Sequence, residues 1–566
     1  MKIIIDQLVL LCHDVGFTQV GVDDFVIPKI AGQGDISLPC FELAKKAGKN
    51  PAELARDIES SIASSTHELV ERVEAVGPYV NFYLNPQATA ALVLGDVYTS
   101  GSAYGTHTFG ADKKVLVEFA HPNTHKAFHI GHLRNITTGE SILRLLNNVG
   151  YRATAVNYQG DVGMHIAKAL WGITQLHEEF ETIKEKSLAE RVSFLGRAYA
   201  LGGTTFEENE SVQKEIIGYN EKIYTYDESI AELYTLTRQW SLEYFDSIYA
   251  RVGTRFERLF FESEVAERGK ELVLNNIDNG IFEHSDGAVI FAGSKVGLHD
   301  RVFINSKGFP TYEGKEIGLA ELQNKEFAPD EVIHITGREQ SDYFKVVFAA
   351  IDRVFPELAG KERHIPYGWV ALKHGKMSSR TGNVVLGEWL LDEVEKTIAE
   401  VMVDREMDDK EQTIRSVALG AVKYAMLKTG VNNDISFDIN ESVSTTGDSG
   451  VYILYTVARI KSILRKMGVS TGVVVPSVVE AQEHQLSLML AQYPQVTERA
   501  AMSHDPSEVA KYLFGLSQTF SSFYDACPVS QATDDVQQFR VTLIDATRQV
   551  LEHGLDLLGI PRVEKM

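Results

Sequence analysis

Apolar positions recur along the chain with two periods, and the changes between them divide it. Leu54, Ile58 and Ile62 repeat at helical spacing behind Asn50-Pro51-Ala52-Glu53, which offers an N-cap residue, a proline at the first helical position and a capping-box glutamate. Residues 76–84 (VGPYVNFYL) then read as a strand opened by a Gly-Pro turn. Together they predict a small α+β domain over residues 1–110.

From residue 114 the pattern changes. KVLVEFA reads as a buried strand, and after a short loop Leu133, Ile136, Leu143 and Leu146 share one helical face. Gly150 closes that helix and YRATAVNY (151–158) is strand again. Such a βαβ unit implies a parallel sheet, a right-handed crossover and ligand binding at the carboxyl ends of the strands. A charged, mostly helical stretch follows (HEEFETIKEKSLAERV within it), predicting a helical insertion over about 167–285 on the sheet edge. Strand-rich sequence up to residue 385 completes a domain over 111–395. Beyond it, Val509, Leu513, Leu516, Phe520 and Phe523 repeat at 4-3-4-3 spacing, and Val541, Ile544, Leu551, Leu555 and Leu558 keep a similar register. Residues 396–566 therefore read as an all-α bundle.

Composition adjusts this picture only a little. With 566 residues, 44% of them hydrophobic and 23% charged, the chain is an ordinary soluble multi-domain protein. No apolar run is long enough for a membrane span, and MKIIIDQLVLLCHDVG meets Asp6 too early for a signal peptide, so a cytoplasmic protein with no membrane partner is expected. Cys12, Cys40 and Cys527 are odd in number and far apart, as free thiols in a reducing compartment would be. A net charge of −23 argues against a general nucleic-acid binder; an RNA partner would need local basic strips on an acidic body.

The loop between the first strand and the helix carries four histidines: HPNTHKAFHIGH, residues 121–132. Pro122 and Gly131 break any helix that could present two of them to a metal at i, i+4, and neither a cysteine nor a His-Glu pair is present, so no metal site is expected. Surface hydrogen bonds would account for His121 and His125. His129 and His132 are different, because they straddle Gly131 at the mouth of a helix, where backbone NH groups and the helix dipole favour an anion.

HIGH after a strand, with KMSSR (376–380) in a later loop, resembles the paired signatures of class I aminoacyl-tRNA synthetases. VEFAHPNTHKAFHIGHLRN resembles the VEFSSPN-x-x-KPFHxGHLRS block of the arginyl-tRNA synthetases. GDSGVYILYTVARIKSILRK (447–466) resembles that family's GDTGPYLQYAxARIxSILR, YLFGLSQTFSSFY its C-terminal anticodon-binding bundle, and PAELA and VGPYVNFYL its extra N-terminal domain. The resemblance implies a Rossmann-like catalytic domain, with the C-terminal bundle reading the anticodon region and the N-terminal domain the tRNA elbow. It implies ATP-dependent ligation of L-arginine to tRNA(Arg) through an arginyl-adenylate, with Mg2+ carried on ATP, by a monomer. A class I enzyme for another amino acid such as lysine, or a non-catalytic tRNA-binding relative, are the alternatives.

Attack of a carboxylate on the α-phosphate of ATP builds charge on a crowded phosphoryl group, so the site needs positive donors there. His129 and His132 are expected to supply them, Gly131 to leave room for the nucleotide, and Lys376 and Arg380 to close over the phosphates on a loop hinged at Gly375 and Gly382. By resemblance Met377 and Ser378 join that ATP contact, and Gly368 and Val370 lie against the adenine. Ser379 stands where the usual signature has a second lysine, and Lys126, just ahead of HIGH, holds the position thought to replace it. By resemblance arginine contacts Glu118, Asn123, Tyr312, Glu316 and Gln340, with His129 near its carboxylate. Glu316 replaces the family's aspartate, one methylene longer.

Overall fold

The computed structural model describes the chain apart from residues 29, 31, 66, 374–384, 404–408 and 469–471. Its centre is a five-stranded sheet in the order Glu362–Tyr367, Glu331–Gly337, Lys114–Glu118, Arg152–Gln159, Arg258–Phe261. Every neighbouring pair is parallel. The middle strand Lys114–Glu118 carries a continuous apolar run, Val115, Leu116 and Val117, almost fully buried, as a sheet covered on both faces requires. The helix Ile130–Asn148 makes the crossover between the Lys114 and Arg152 strands and buries Leu133, Ile136 and Leu146; Leu143 is half-buried at its margin. Asn135 pins this helix, accepting from the Ala120 NH at 2.5 Å and donating to the Ile335 carbonyl at 2.6 Å. One side chain thus ties the chain just after one strand, a second strand and the helix together.

Five helices from Met164 to Val252 form the insertion, around a core of their own that includes Phe194, Ile216 and Trp240. The span expected as helical also holds the strand Arg258–Phe261 and the helix Glu262–Asn275. Four residues, RLFF, are too short to show a period against charged neighbours; pairing with residues 156–159 makes them strand. The strand-rich stretch after it contains an antiparallel three-stranded sheet and then a 16-residue helix, Tyr312–Phe327, nine of whose residues are buried. Burial almost all round removed the amphipathic signal that would have identified it.

At the N-terminus, an antiparallel sheet packs with the helices Lys2–Asp14 and Pro51–Ala63. Asn50 caps the second of these through the Ala52 NH at 3.0 Å. Gly77, at φ +57, turns the hairpin, so Val76 ends one strand and Tyr79 starts the next. In the C-terminal bundle every residue picked out by spacing is 5% exposed or less. A short strand there, Ile435–Phe437, pairs in parallel with Val370–Leu372 and carries the bundle to the edge of the central domain. The three cysteines are buried and free, and among the described residues no helix is long and apolar enough to cross a membrane.

Candidate active site

Each strand of the central sheet delivers a residue to one cavity of about 1080 Å³ at its carboxyl end: Glu118, Tyr158, Thr336, Tyr367 and, directly after Phe261, Glu262. This is where a parallel sheet presents ligand sites. The cavity has two chemically different ends.

At one end is the helix mouth. His129 is the N-cap of Ile130–Asn148: its Nδ1 accepts from the Gly131 NH at 3.1 Å, while His132 Nδ1 accepts from the His129 NH, also at 3.1 Å. The two rings stack with centroids 3.7 Å apart. Because each Nδ1 is an acceptor, each Nε2 carries the ring proton and is the donor left for a ligand. Burial lowers both pKa values, and Lys126 close to His129 and His129 next to His132 add to the effect. The rings are therefore neutral N–H donors rather than the positive groups expected from the sequence. A Cβ at Gly131 would stand 2.9 Å from the His129 ring, so the space glycine provides is first of all space for that ring to fold over the helix end.

The Lys376, Met377, Ser378 and Arg380 positions lie outside the described residues. Both flanks of their segment are at this cavity. Ala371 and Leu372 line it on one side and Val385 on the other, and backbone bonds from Ile130 to Val385 and from Gly387 to Phe128 fasten the second flank to the helix mouth. Gly368 and Val370 line the same wall; a Cβ at Gly368 would meet the Asn433 backbone at 2.4 Å, so glycine permits that close approach.

The other end is acidic. Glu118, almost completely buried, accepts from Gln323 at 2.6 Å through Oε2 and from His334 Nδ1 at 3.0 Å through Oε1. Glu316 is buried across from it and accepts from the Tyr343 hydroxyl at 3.3 Å. Burial, with the Glu118 charge second, pushes the Glu316 carboxyl up to about 8. Two further carboxylates already have cations: Glu262 pairs with Lys315, and Glu313 with Arg301. The Tyr158 hydroxyl is buried here with no hydrogen-bond partner among the described residues, which is costly unless a ligand supplies one. A cation with several fixed N–H donors suits such a wall.

Glu118, Asn123, His129, Gly131, His132, Tyr312, Glu316, Gln340, Gly368 and Val370 thus face one cavity. Lys126 does not line it. It lines a neighbouring cavity of about 430 Å³ with Lys168 and Tyr199, which shares Tyr312 with the first. His125 is buried rather than on the surface, its Nε2 2.8 Å from the Thr237 hydroxyl of the insertion. Tyr158, Tyr343 and His334 were not foreseen. Tyr158 is the last residue but one of the strand Arg152–Gln159, next to the strand that ends in Glu118, a signal that could have found it; the other two have no local signature. Among the described residues no group of three or more His, Cys, Asp or Glu side chains forms a metal-ligand set.

A parallel sheet opening on a helix capped by HIGH is the architecture of class I aminoacyl-tRNA synthetases. Residues 94–439 match the family model for the class I (R) tRNA synthetase catalytic domain, residues 453–566 the DALR anticodon binding domain, and residues 5–84 the arginyl tRNA synthetase N-terminal domain. Arginine-tRNA ligase of Treponema denticola is 32% identical over 559 residues, covering 94% of this chain and 93% of its own. That of Lactococcus lactis subsp. lactis is 32% identical over 545 residues, with 95% of each chain covered. The solved arginyl-tRNA synthetase of Thermus thermophilus has the same fold, with a TM-score of 0.80 at 24% identity over 99% of this chain and all of its own. The chain belongs to the arginyl-tRNA synthetase family.

Proposed function

We propose that the chain joins arginine to tRNA(Arg) at the two-ended cavity, using ATP. The observation that carries this reading is the pairing, within one cavity, of a buried acidic wall with a helix mouth bearing two neutral imidazole donors. The guanidinium lies between Glu118 and Glu316, with Asn123, Tyr312 and Gln340 around the rest of the amino acid, and the triphosphate lies against His129 and His132. An arginine carboxylate oxygen attacks the α-phosphorus, an O–P bond forms, and pyrophosphate leaves with the electron pair of the broken P–O bond. The two Nε2–H groups and the helix dipole stabilise charge on the phosphoryl oxygens. Lys376 and Arg380 supply the cations, and Lys126 adds positive charge beside His129 from the adjoining cavity. A terminal ribose hydroxyl of the tRNA then attacks the acyl carbon and AMP departs. Mg2+ accompanies ATP as part of the substrate.

For the tRNA body, the bundle offers a cavity of about 430 Å³ lined by Tyr452, Tyr455, Arg459 and Met566. Aromatic faces with an arginine suit an unstacked anticodon base, which an acidic protein can read without bulk positive charge. In the N-terminal domain the half-exposed Phe41 and Tyr79 rings, 5.6 Å apart, offer a stacking surface to the tRNA elbow.

Charging total tRNA with each of the twenty amino acids tests the reading. Only arginine should be attached; attachment of lysine instead, or failure to exchange ATP with pyrophosphate even with tRNA and arginine present, would overturn it.

A further inference from the structure

Glu118 does not stand alone in the acidic wall. On the neighbouring strand, in direct register with it, His334 places its ring between two carboxylates. Nδ1 lies 3.0 Å from Glu118 Oε1, and Nε2 lies 2.7 Å from Glu362 Oε2 on the next strand outward. All three side chains are less than 5% exposed. Both ring nitrogens face acceptors, so both donate, and the ring is an imidazolium. Burial opposes that charge; Glu118 and Glu362 outweigh it and hold the His334 pKa well above its ordinary value. The same ring holds Glu118 below the usual carboxylate range in spite of burial.

We infer that His334 is a positioning residue for arginine: clamped between Glu118 and Glu362, it fixes the Glu118 carboxylate in orientation and in charge for the incoming guanidinium. This rests on the arginine site proposed above. Three groups with charges −1, +1 and −1 leave a net −1, which one guanidinium balances. Glu118 and Glu316 hold one proton between them near neutrality, and without the clamp nothing would keep that proton on Glu316 and the charge on Glu118. The bond to His334 and the 2.6 Å bond from Gln323 occupy one lone pair on each Glu118 oxygen and turn the remaining two toward the cavity. A bidentate fork needs that geometry, and a carboxylate free to rotate would not hold it. Phe344 and Phe348 pack against the imidazole with centroids 5.2 and 5.4 Å away, fixing the ring itself.

The test separates positioning from simple structural support. Asparagine at 334 reaches about as far as Nδ1 and keeps a donor for Glu118; glutamine reaches about as far as Nε2 and keeps one for Glu362 instead. In steady-state kinetics with tRNA, His334→Gln is expected to raise the KM for arginine roughly 10–100-fold, the scale of a lost charge-assisted bond. His334→Asn should raise it only a few-fold, and both should leave the KM for ATP within about twofold. Equal arginine defects in the two variants, an unchanged arginine KM in His334→Gln, or an ATP KM that rises in step would each overturn the inference. Should either 334 variant fail to fold, Glu362→Gln, which loosens the far end of the clamp, is expected to raise the arginine KM a few-fold with ATP untouched, and no change there overturns it as well. Glu118→Gln is the control for the underlying reading. If it leaves the arginine KM unchanged, the arginine site falls and this inference with it; if it raises that KM while the 334 variants do not, only the clamp falls.

Discussion

The two ends of the central cavity are built in opposite ways. The helix mouth is local: Phe128 to His132 supply the cap, the ring stack and the two Nε2–H donors within five consecutive residues. The acidic wall is assembled across the fold, with Glu118, Glu316, His334, Tyr343 and Glu362 coming from five separate elements. A phosphate site can be local because a helix N-terminus already concentrates donors and dipole. A guanidinium site cannot, because it must surround a flat, five-donor cation with acceptors while keeping several buried carboxylates from repelling one another.

The largest effect should come from breaking the acidic end. Glu118→Gln keeps the shape of the side chain and removes its charge, leaving His334 with one carboxylate partner. A loss of about 10³-fold in kcat/KM for arginine is expected, on the scale of breaking a buried ionic pair. Charging kinetics at varied arginine would measure it, and a loss below tenfold would place the guanidinium elsewhere. His129→Asn breaks the other end. Asparagine is a strong N-cap, so the helix keeps its start while the ring and its Nε2–H disappear. The expected result is a fall of about 10²-fold in kcat with the arginine KM within a few-fold and thermal stability nearly unchanged. An unaltered kcat would reduce the histidine to a cap.

A smaller effect sharpens the contrast through pH. Glu316 is pushed up to about 8 by burial and by Glu118, so near neutrality the empty site holds it mostly protonated. The proton must leave for the carboxylate to pair with a guanidinium, and binding therefore strengthens as pH rises through that value. Between about pH 7 and pH 9 the arginine KM should fall roughly tenfold, one pH unit below the pKa costing about a factor of ten. Glu316→Gln should have a flatter profile and a higher KM throughout. A wild-type profile flat over that range would mean that Glu316 is already ionised. The neutral histidines at the other end have pKa values lowered from their ordinary range, so the steps that use only them should not share this dependence.

The same division explains what could be read from the chain. The βαβ unit, the helix from residue 130 and the buried stripes of the bundle were legible because each is a local period. HIGH was legible because its function is that of a helix end. The charge state of His129 and His132 was not, since it depends on reciprocal capping and burial that no spacing encodes. Nor was the strand Arg258–Phe261, which exists only because the Arg152 strand needs an outer neighbour. His334 reads in sequence as one more residue of EVIHITG, and only the register of three strands makes it a bridge between two carboxylates. Lys126 is the middle case. Its place beside HIGH was evident, but the structure puts it in the adjoining cavity rather than between the rings and the acidic wall.

Two histidines of the same loop give the last and mildest test, because His129, which lines the central cavity, is only four positions from His125, which holds the loop. His125 has a positive φ of 62° and is buried, with its backbone NH bonded to Ser241 at 3.0 Å and its Nε2 to Thr237 at 2.8 Å. Thr237 spends its own hydroxyl proton on the Leu233 carbonyl at 2.7 Å, so it accepts from the ring. Both partners lie on the long insertion helix Glu228–Val252, so His125 fastens the loop to the insertion, not to a substrate. Thr237→Val keeps the shape and removes the acceptor, leaving a buried N–H without a partner at a cost of about 1–3 kcal/mol. Denaturant unfolding should register that loss, while kcat and both KM values stay within about twofold of wild type. If charging falls as much as in His129→Asn, the anchor and the helix mouth are one mechanical unit, and the division of labour along residues 121–132 fails.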